Sequence, residues 1–213
     1  MKLKSIFITA SALIFSLYMQ GQDITENTFG KGLINVVAKD SSYSANFGVR
    51  FQSLMTSQWD VPENGGVQNG ESNFLIRRAR FKFQGFAYSP KLTYKFEVGL
   101  SNRDISGASQ FTSNAPRFLL DAVLKWNFYE NFELWAGQTK LPGNRERVVS
   151  SANLETVDRS LLNSRFNIDR DIGVQLHHFI TLGDNFIIRE IVSIAQGEGR
   201  NITSGNIGGY QYT

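Results

Sequence analysis

At 213 residues, with no cysteine and 22 basic against 19 acidic residues, the chain cannot be a disulfide-stapled domain or carry an acylated lipoprotein anchor, which needs a cysteine. Lys2 and Lys4 account for most of the net charge of +3; without them 20 basic residues face 19 acidic ones, so bulk charge names no partner and no nucleic acid is expected. A mean hydropathy of −0.23 suits a soluble protein and equally a transmembrane barrel, in which only alternate residues meet lipid.

Lys2 and Lys4 precede an uncharged run that includes Ile6, Phe7, Ile8, Leu13, Ile14, Phe15 and Leu17. This is the pattern of a secretory signal peptide, expected over residues 1–21 with cleavage near Gly21 or Gln22. Thr9, Ser11 and Ser16 make the run too polar for a spanning helix, which needs roughly 20 predominantly apolar residues. Residues 22–43 are read as an N-terminal periplasmic segment, and residues 44–213 as a β domain.

Six segments then alternate with a period of two, the signature of half-buried strands, and an Ile-rich seventh alternates poorly. Residues 46–55 set Phe47, Val49, Phe51 and Met55 against Asn46, Arg50 and Gln52. Residues 75–87 set Leu75, Ala79, Phe81, Phe83 and Ala87 against Arg78, Arg80, Lys82 and Gln84. Residues 92–100 alternate without exception, with Tyr94, Phe96 and Val98 opposite Lys95 and Glu97. Residues 118–128 place Phe118, Leu120, Ala122, Leu124, Trp126 and Phe128 opposite Asp121, Lys125 and Asn127. Residues 132–138 and 172–180 follow, and 186–195 is a strand whose facing the sequence leaves open.

The connections alternate too. Long polar stretches at 59–73, 101–117, 139–170 and from 196 onward interleave with short turns at 89–91, 129–131 and 182–185. Outer-membrane barrels have short periplasmic turns and long extracellular loops, whereas a soluble sandwich follows no such rule. Tyr88, Phe118, Trp126, Phe128, Phe132 and Phe186 fall near strand ends, where aromatic girdles sit. The predicted fold is therefore all-β, a transmembrane antiparallel barrel. About seven strands are fewer than the eight of the smallest single-chain bacterial barrels, so the chain is expected to be an incomplete barrel.

The most unusual strand is the second. Arg78, Arg80 and Lys82 share one face, with about 6–7 Å between successive cations. Arg50 and Lys95 are candidates to join them on neighbouring strands. Two readings stand. The cations line a lumen and attract anions, or they are structural charges paired with acids such as Glu97 and Asp121. Arg77 breaks the alternation and is expected to snorkel at the strand start. The loop over 139–170 is long enough to be functional, and Lys140, Arg145, Arg147 and Arg165 are its candidates for a constriction. His177 and His178 project to opposite faces and cannot share a metal. No metal-ligand spacing, phosphate-binding loop or nucleophile elbow occurs, so neither cofactor nor catalysis is expected.

The run from Phe74 to Phe81 (FLIRRARF) resembles the early strand of the phosphate-selective porin O and P family. Ala136 to Pro142 (AGQTKLP), Arg147, Ser150-Ser151, Asp158-Arg159-Ser160-Leu161, Arg170 to Gln175 and Gly197 to Asn201 are similar to that family as well, so that the resemblance covers residues 44–210. It implies a barrel of about sixteen strands, a homotrimer, outer-membrane lipid around it, and a basic lumen conducting small anions such as phosphate. Two alternatives from other classes are a secreted β-sandwich that binds glycans and a surface barrel that conducts nothing.

Overall fold

The computed structural model describes residues 22–24, 33–105, 110–156, 158–165, 169–183, 186–203 and 208–213. The expected signal peptide at 1–21 and the side chain of Arg165 lie outside the described residues. Among the described residues ten strands form one antiparallel sheet whose order follows the chain: β1 (Gln22–Ile24), β2 (Ile34–Ala38), β3 (Ser44–Asp60), β4 (Gln68–Ala87), β5 (Ser89–Gly99), β6 (Leu119–Tyr129), β7 (Phe132–Lys140), β8 (Arg170–Leu182), β9 (Phe186–Ala195) and β10 (Gln211–Tyr212). The first and last strands do not pair with each other, and the sheet is open. Two short helices, α1 (Arg145–Val148) and α2 (Leu161–Arg165), sit in the connection between β7 and β8.

The seven expected strands are β3 to β9. The sheet also begins earlier than residue 44, because β2 pairs with the start of β3 from Ile34↔Phe47 to Val37↔Ser44. Connections of 19 residues or fewer and a single longer one alternate with tight turns, as expected. The first long connection is far shorter than the sequence suggests: β3 and β4 continue as a hairpin, leaving only 61–67 outside the strands. Polar pairs hold this extension together, with the hydroxyls of Ser57 and Ser72 2.9 Å apart and Asn69 donating to Asp60 at 3.0 Å. Trp59 packs against Gly70, where a Cβ would come within 2.6 Å of the indole nitrogen. Both faces of the extension are exposed to solvent, so no alternation marks it in the sequence.

Burial is inverted relative to a soluble domain. Phe51, Phe81, Phe83, Phe96, Leu124, Trp126, Ile172, Val174, Val192 and Ile194 are exposed on one face, whereas Arg78, Asp121, Thr139, Arg170, Asp171, Gln175 and Ser193 are buried on the other. No second sheet covers the apolar face among the described residues, which removes the packing a β-sandwich requires. Apolar residues outward and polar ones inward is the arrangement of a barrel wall in lipid. At the short-turn end, Trp126, Phe128, Phe132 and Tyr129 form a chain of ring contacts with centroids 5.7 to 6.4 Å apart.

Two β-bulges correct the expected facing. Gln52 opposes Arg78 and Ser53 opposes Ile76, so Arg77 is the extra residue on β4. The parity reverses there: Phe74 and Ile76 point outward with Phe81 and Phe83, and Leu75 does not. Arg77 does not snorkel but turns inward beside Arg78. On β6 the shift between Glu97↔Asp121 and Val98↔Leu119 makes Leu120 the extra residue. Leu120 is 1% exposed and packs toward Gly99, inside the wall. A bulge re-aims side chains in this way because two residues on one strand share one partner on the next.

Small residues line part of the inner wall. Val123, Gly137, Gly173 and Ala195 oppose one another across β6 to β9. A Cβ at Gly137 or Gly173 would come 2.2 Å from the carbonyl oxygen of Ala122 or Ile194.

Candidate functional site

The inner face carries its charges in layers set by strand register. Glu97 on β5 opposes Asp121 on β6, while Lys125 on β6 opposes Trp135 on β7. The central group is Asp121, fully buried. It accepts Lys95 Nζ at 2.6 Å, Arg170 Nε at 3.1 Å and Nη2 at 3.3 Å, and the Thr139 hydroxyl at 3.1 Å. Lys95 also meets Glu97 at 2.9 Å. Arg80 bridges Glu97 at 3.1 Å and Asp104 in the loop after β5, which its Nε reaches at 3.0 Å. Such charge-assisted contacts let cations sit in a wall where an unpaired charge would be costly.

The connection 141–169 folds against this inner face and is held at both ends. Near β3 and β4, Arg50 donates to the Ser151 hydroxyl at 2.7 Å, and Arg77 and Arg78 both reach Oδ1 of Asp158. Near β8, Arg147 Nε reaches Asp169 at 2.8 Å, and Arg170 lies 3.5 Å from the same carboxylate. The other two long loops join in. Arg200 donates to the Asp104 carbonyl at 2.6 Å, and the Gly197 amide donates to Asp171 at 2.6 Å. Burial alone pushes the Asp104 carboxyl up, but the hydrogen bond and charge of Arg80, with the Ser101 hydroxyl, hold it below the ordinary value. Asp169 behaves likewise: burial raises it, and Arg147 and Arg170 together outweigh that effect.

Between the loop and the wall lies a cavity of about 280 Å³. Seven cations line it (Arg80, Lys95, Lys125, Lys140, Arg147, Arg159 and Arg170) against two carboxylates, Glu97 and Asp121. Two of the seven have backbone carbonyls as their hydrogen-bond partners. Lys140 Nζ donates to the carbonyls of Val148 and Val149, each at 3.2 Å. Arg159 donates to those of Glu146 at 2.7 Å and Val149 at 2.8 Å. Burial, followed by the neighbouring charges of Arg147, Arg170 and Arg80, lowers the Arg159 guanidinium below its ordinary value. These dipoles orient the cations without cancelling their charge. At the other end Lys125 sits 3.6 Å over the Trp135 ring, and His177 stacks on Trp135 with centroids 3.9 Å apart.

The sequence candidates separate accordingly. Arg80, Lys95, Lys140 and Arg147 border the cavity, while Arg50 and Arg78 hold its loop. Lys82 is half-buried and makes no ion pair among the described residues. Arg145 is exposed and does not line the cavity. Arg78 and Arg80 on the basic face are paired, so that face is not a row of bare cations. Sequence reasoning missed Asp104, Asp158 and Asp169 as anchors and Lys125 as a lining cation. The acids come from loops with no period, and the place of Lys125 depends on register across three strands. His177 faces inward, and His178 stacks on Phe132 at 4.1 Å from the opposite face.

A meander with an exposed apolar face and a charged inner face, against which a long loop folds, is the arrangement of a β-barrel porin. The chain belongs to the phosphate-selective porin O and P family, whose model matches residues 51–183, well over half of it. Among curated proteins the chain has no match.

Proposed function

We propose that this chain is the wall of an outer-membrane channel that passively conducts small anions, phosphate among them, and that it catalyses no reaction. It is exported through a signal peptide at 1–21, seats its apolar face in outer-membrane lipid and assembles as a homotrimer. Membership of a porin family supports the class. The observation that carries anion preference is the excess of cations around the cavity beneath the loop, seven against the lining Glu97 and Asp121 and the flanking Asp104 and Asp169 that pair with three of them. A positive lining lowers the energy of a permeating anion and raises that of a cation, most strongly where the passage is narrow. Arg80, Lys95, Lys140 and Arg147 act in this lining. Arg50 and Arg78 act by holding the loop. Lys82, which has no ion pair among the described residues, adds a charge to the same face of β4.

Salt-gradient reversal potentials of the complete protein in planar bilayers test the reading. The wild type should prefer chloride or phosphate to potassium. The pair Lys140→Gln and Arg159→Gln should weaken that preference, chiefly at low salt, because at physiological strength charges are screened beyond about 8 Å. A wild type that passes potassium as readily as chloride would refute an anion channel.

A further inference from the structure

The outer face of β8 and β9 carries one charged rung. From Ile172 to Leu182 and from Phe186 to Ile194, all the remaining outward residues of the two strands are apolar. At the exception His178 opposes Glu190, with Leu176 and Val192 on one side of the pair and Ile180 and Ile188 on the other. His178 stacks on Phe132 with ring centroids 4.1 Å apart, and so continues the chain of rings that begins at Trp126. Its Nδ1 lies 3.0 Å from Oε2 of Glu190. An ionised carboxylate only accepts, so Nδ1 carries the hydrogen. Neither Oε1 of Glu190 nor Nε2 of His178 has a hydrogen bond among the described residues, and the Glu190 side chain is 60% exposed. The pair therefore uses only part of its hydrogen-bonding capacity, on a face where lipid tails can supply none.

The rung lies four residues from the last pair before the turn, Leu182↔Phe186. That is roughly 14 Å along the strands, and about 10 Å in height at the tilt of a barrel. The interfacial layer of a bilayer is about 5–8 Å deep on each side, so with the turn in water the rung sits where headgroups meet chains. We infer that His178 and Glu190 form a site for an aminophospholipid of the leaflet on the short-turn side, a lipid with a primary ammonium beside its phosphate. This rests on the membrane-seated reading above. The ammonium donates to Oε1 of Glu190, and the imidazolium form of His178 donates from Nε2 to a phosphate oxygen. The acyl chains then lie along Leu176 and Val192, both exposed. A quaternary ammonium has no N–H to donate, and an anionic headgroup without an amine is repelled by the carboxylate. The charge pattern thus selects the primary amine.

The test is native mass spectrometry of the complete protein in detergent, incubated with equimolar phosphatidylethanolamine, phosphatidylcholine and phosphatidylglycerol of the same chains. The wild type should retain phosphatidylethanolamine over each of the others. Glu190→Gln should lower that preference about two- to fivefold, the range for an exposed charge pair, and Glu190→Lys should favour phosphatidylglycerol instead. Equal retention of the three lipids by the wild type, or a preference for phosphatidylethanolamine that survives both variants, would overturn the site. An oligomer that dissociates in Glu190→Lys whatever lipid is supplied would make the rung a contact between copies of this chain, and overturn it too. Conductance in planar bilayers separates the two claims. A conducting protein without lipid preference defeats the headgroup site alone, and one that neither conducts nor retains any of the lipids defeats the membrane reading and the site with it.

Discussion

Replacing Asp121 with asparagine removes the charge at the centre of the inner-wall network while keeping the shape of the side chain. Asp121 is fully buried and accepts from Lys95, Arg170 and Thr139. Arg170 is itself 5% exposed and keeps only a 3.5 Å contact with Asp169 when its closer partner loses charge. Asparagine keeps one acceptor but presents an amide N–H toward a cation. Removing one member of a buried ion pair costs about 3–5 kcal/mol. Loss of the Thr139 hydrogen bond alone, as in Thr139→Val, costs about 1 kcal/mol. For a domain of this size each kcal/mol moves a melting transition by roughly 2–4 °C. Asp121→Asn in the complete protein should therefore convert from its compact to its extended form on a heat-modifiability gel roughly 6–20 °C lower. Thr139→Val should shift it by only roughly 2–4 °C. Equal shifts in the two variants would refute the view that Asp121 holds two cations in the wall.

Phe96 is exposed on the outer face next to inward-facing Lys95, and an arginine against lipid near mid-strand costs about 2–4 kcal/mol. Phe96→Arg should block membrane assembly, read as loss of the heat-modifiable form, while Lys95→Gln should still assemble. Acid should release the loops. Asp104 and Asp169 titrate below the ordinary value of 3.8, so their anchoring is complete above that value and is lost as pH falls through the lower native values. Cleavage within 141–169, read with proteases active at each pH tested, should be absent from neutral pH down to 3.8 and appear only below it. Cleavage that begins at neutral pH would show that these carboxylates do not hold the loop.

Much of the wall was legible because lipid on one side and polar groups on the other impose a period of two. Residues 92–100 alternate strictly and form β5 with the expected facing. The pattern fails where that two-sided environment ends. The outer half of the β3–β4 hairpin meets solvent on both faces and so reads as a loop. Bulges escape as well, because one extra residue, Arg77 or Leu120, leaves each flanking run regular and changes only their relative phase. Glu97 and Asp121 could be named as partners for the basic face since they lie inward on adjacent strands. Asp104, Asp158 and Asp169 could not, because long-range contacts between an aperiodic loop and a strand leave no local trace.

The unclothed stretch of wall at Gly137 and Gly173 bears on how such a pore can change its bore. With neighbouring carbonyls standing where a first side-chain atom would be, the backbones of β6 to β9 are already in direct contact, and nothing compressible lies between them. The spacing of those strands is fixed by their backbones. Any methyl group added at either glycine would force the strands to slide or splay. The loop over 141–169, attached by a few side-chain contacts, can by contrast change one residue at a time while the strands stay as they are.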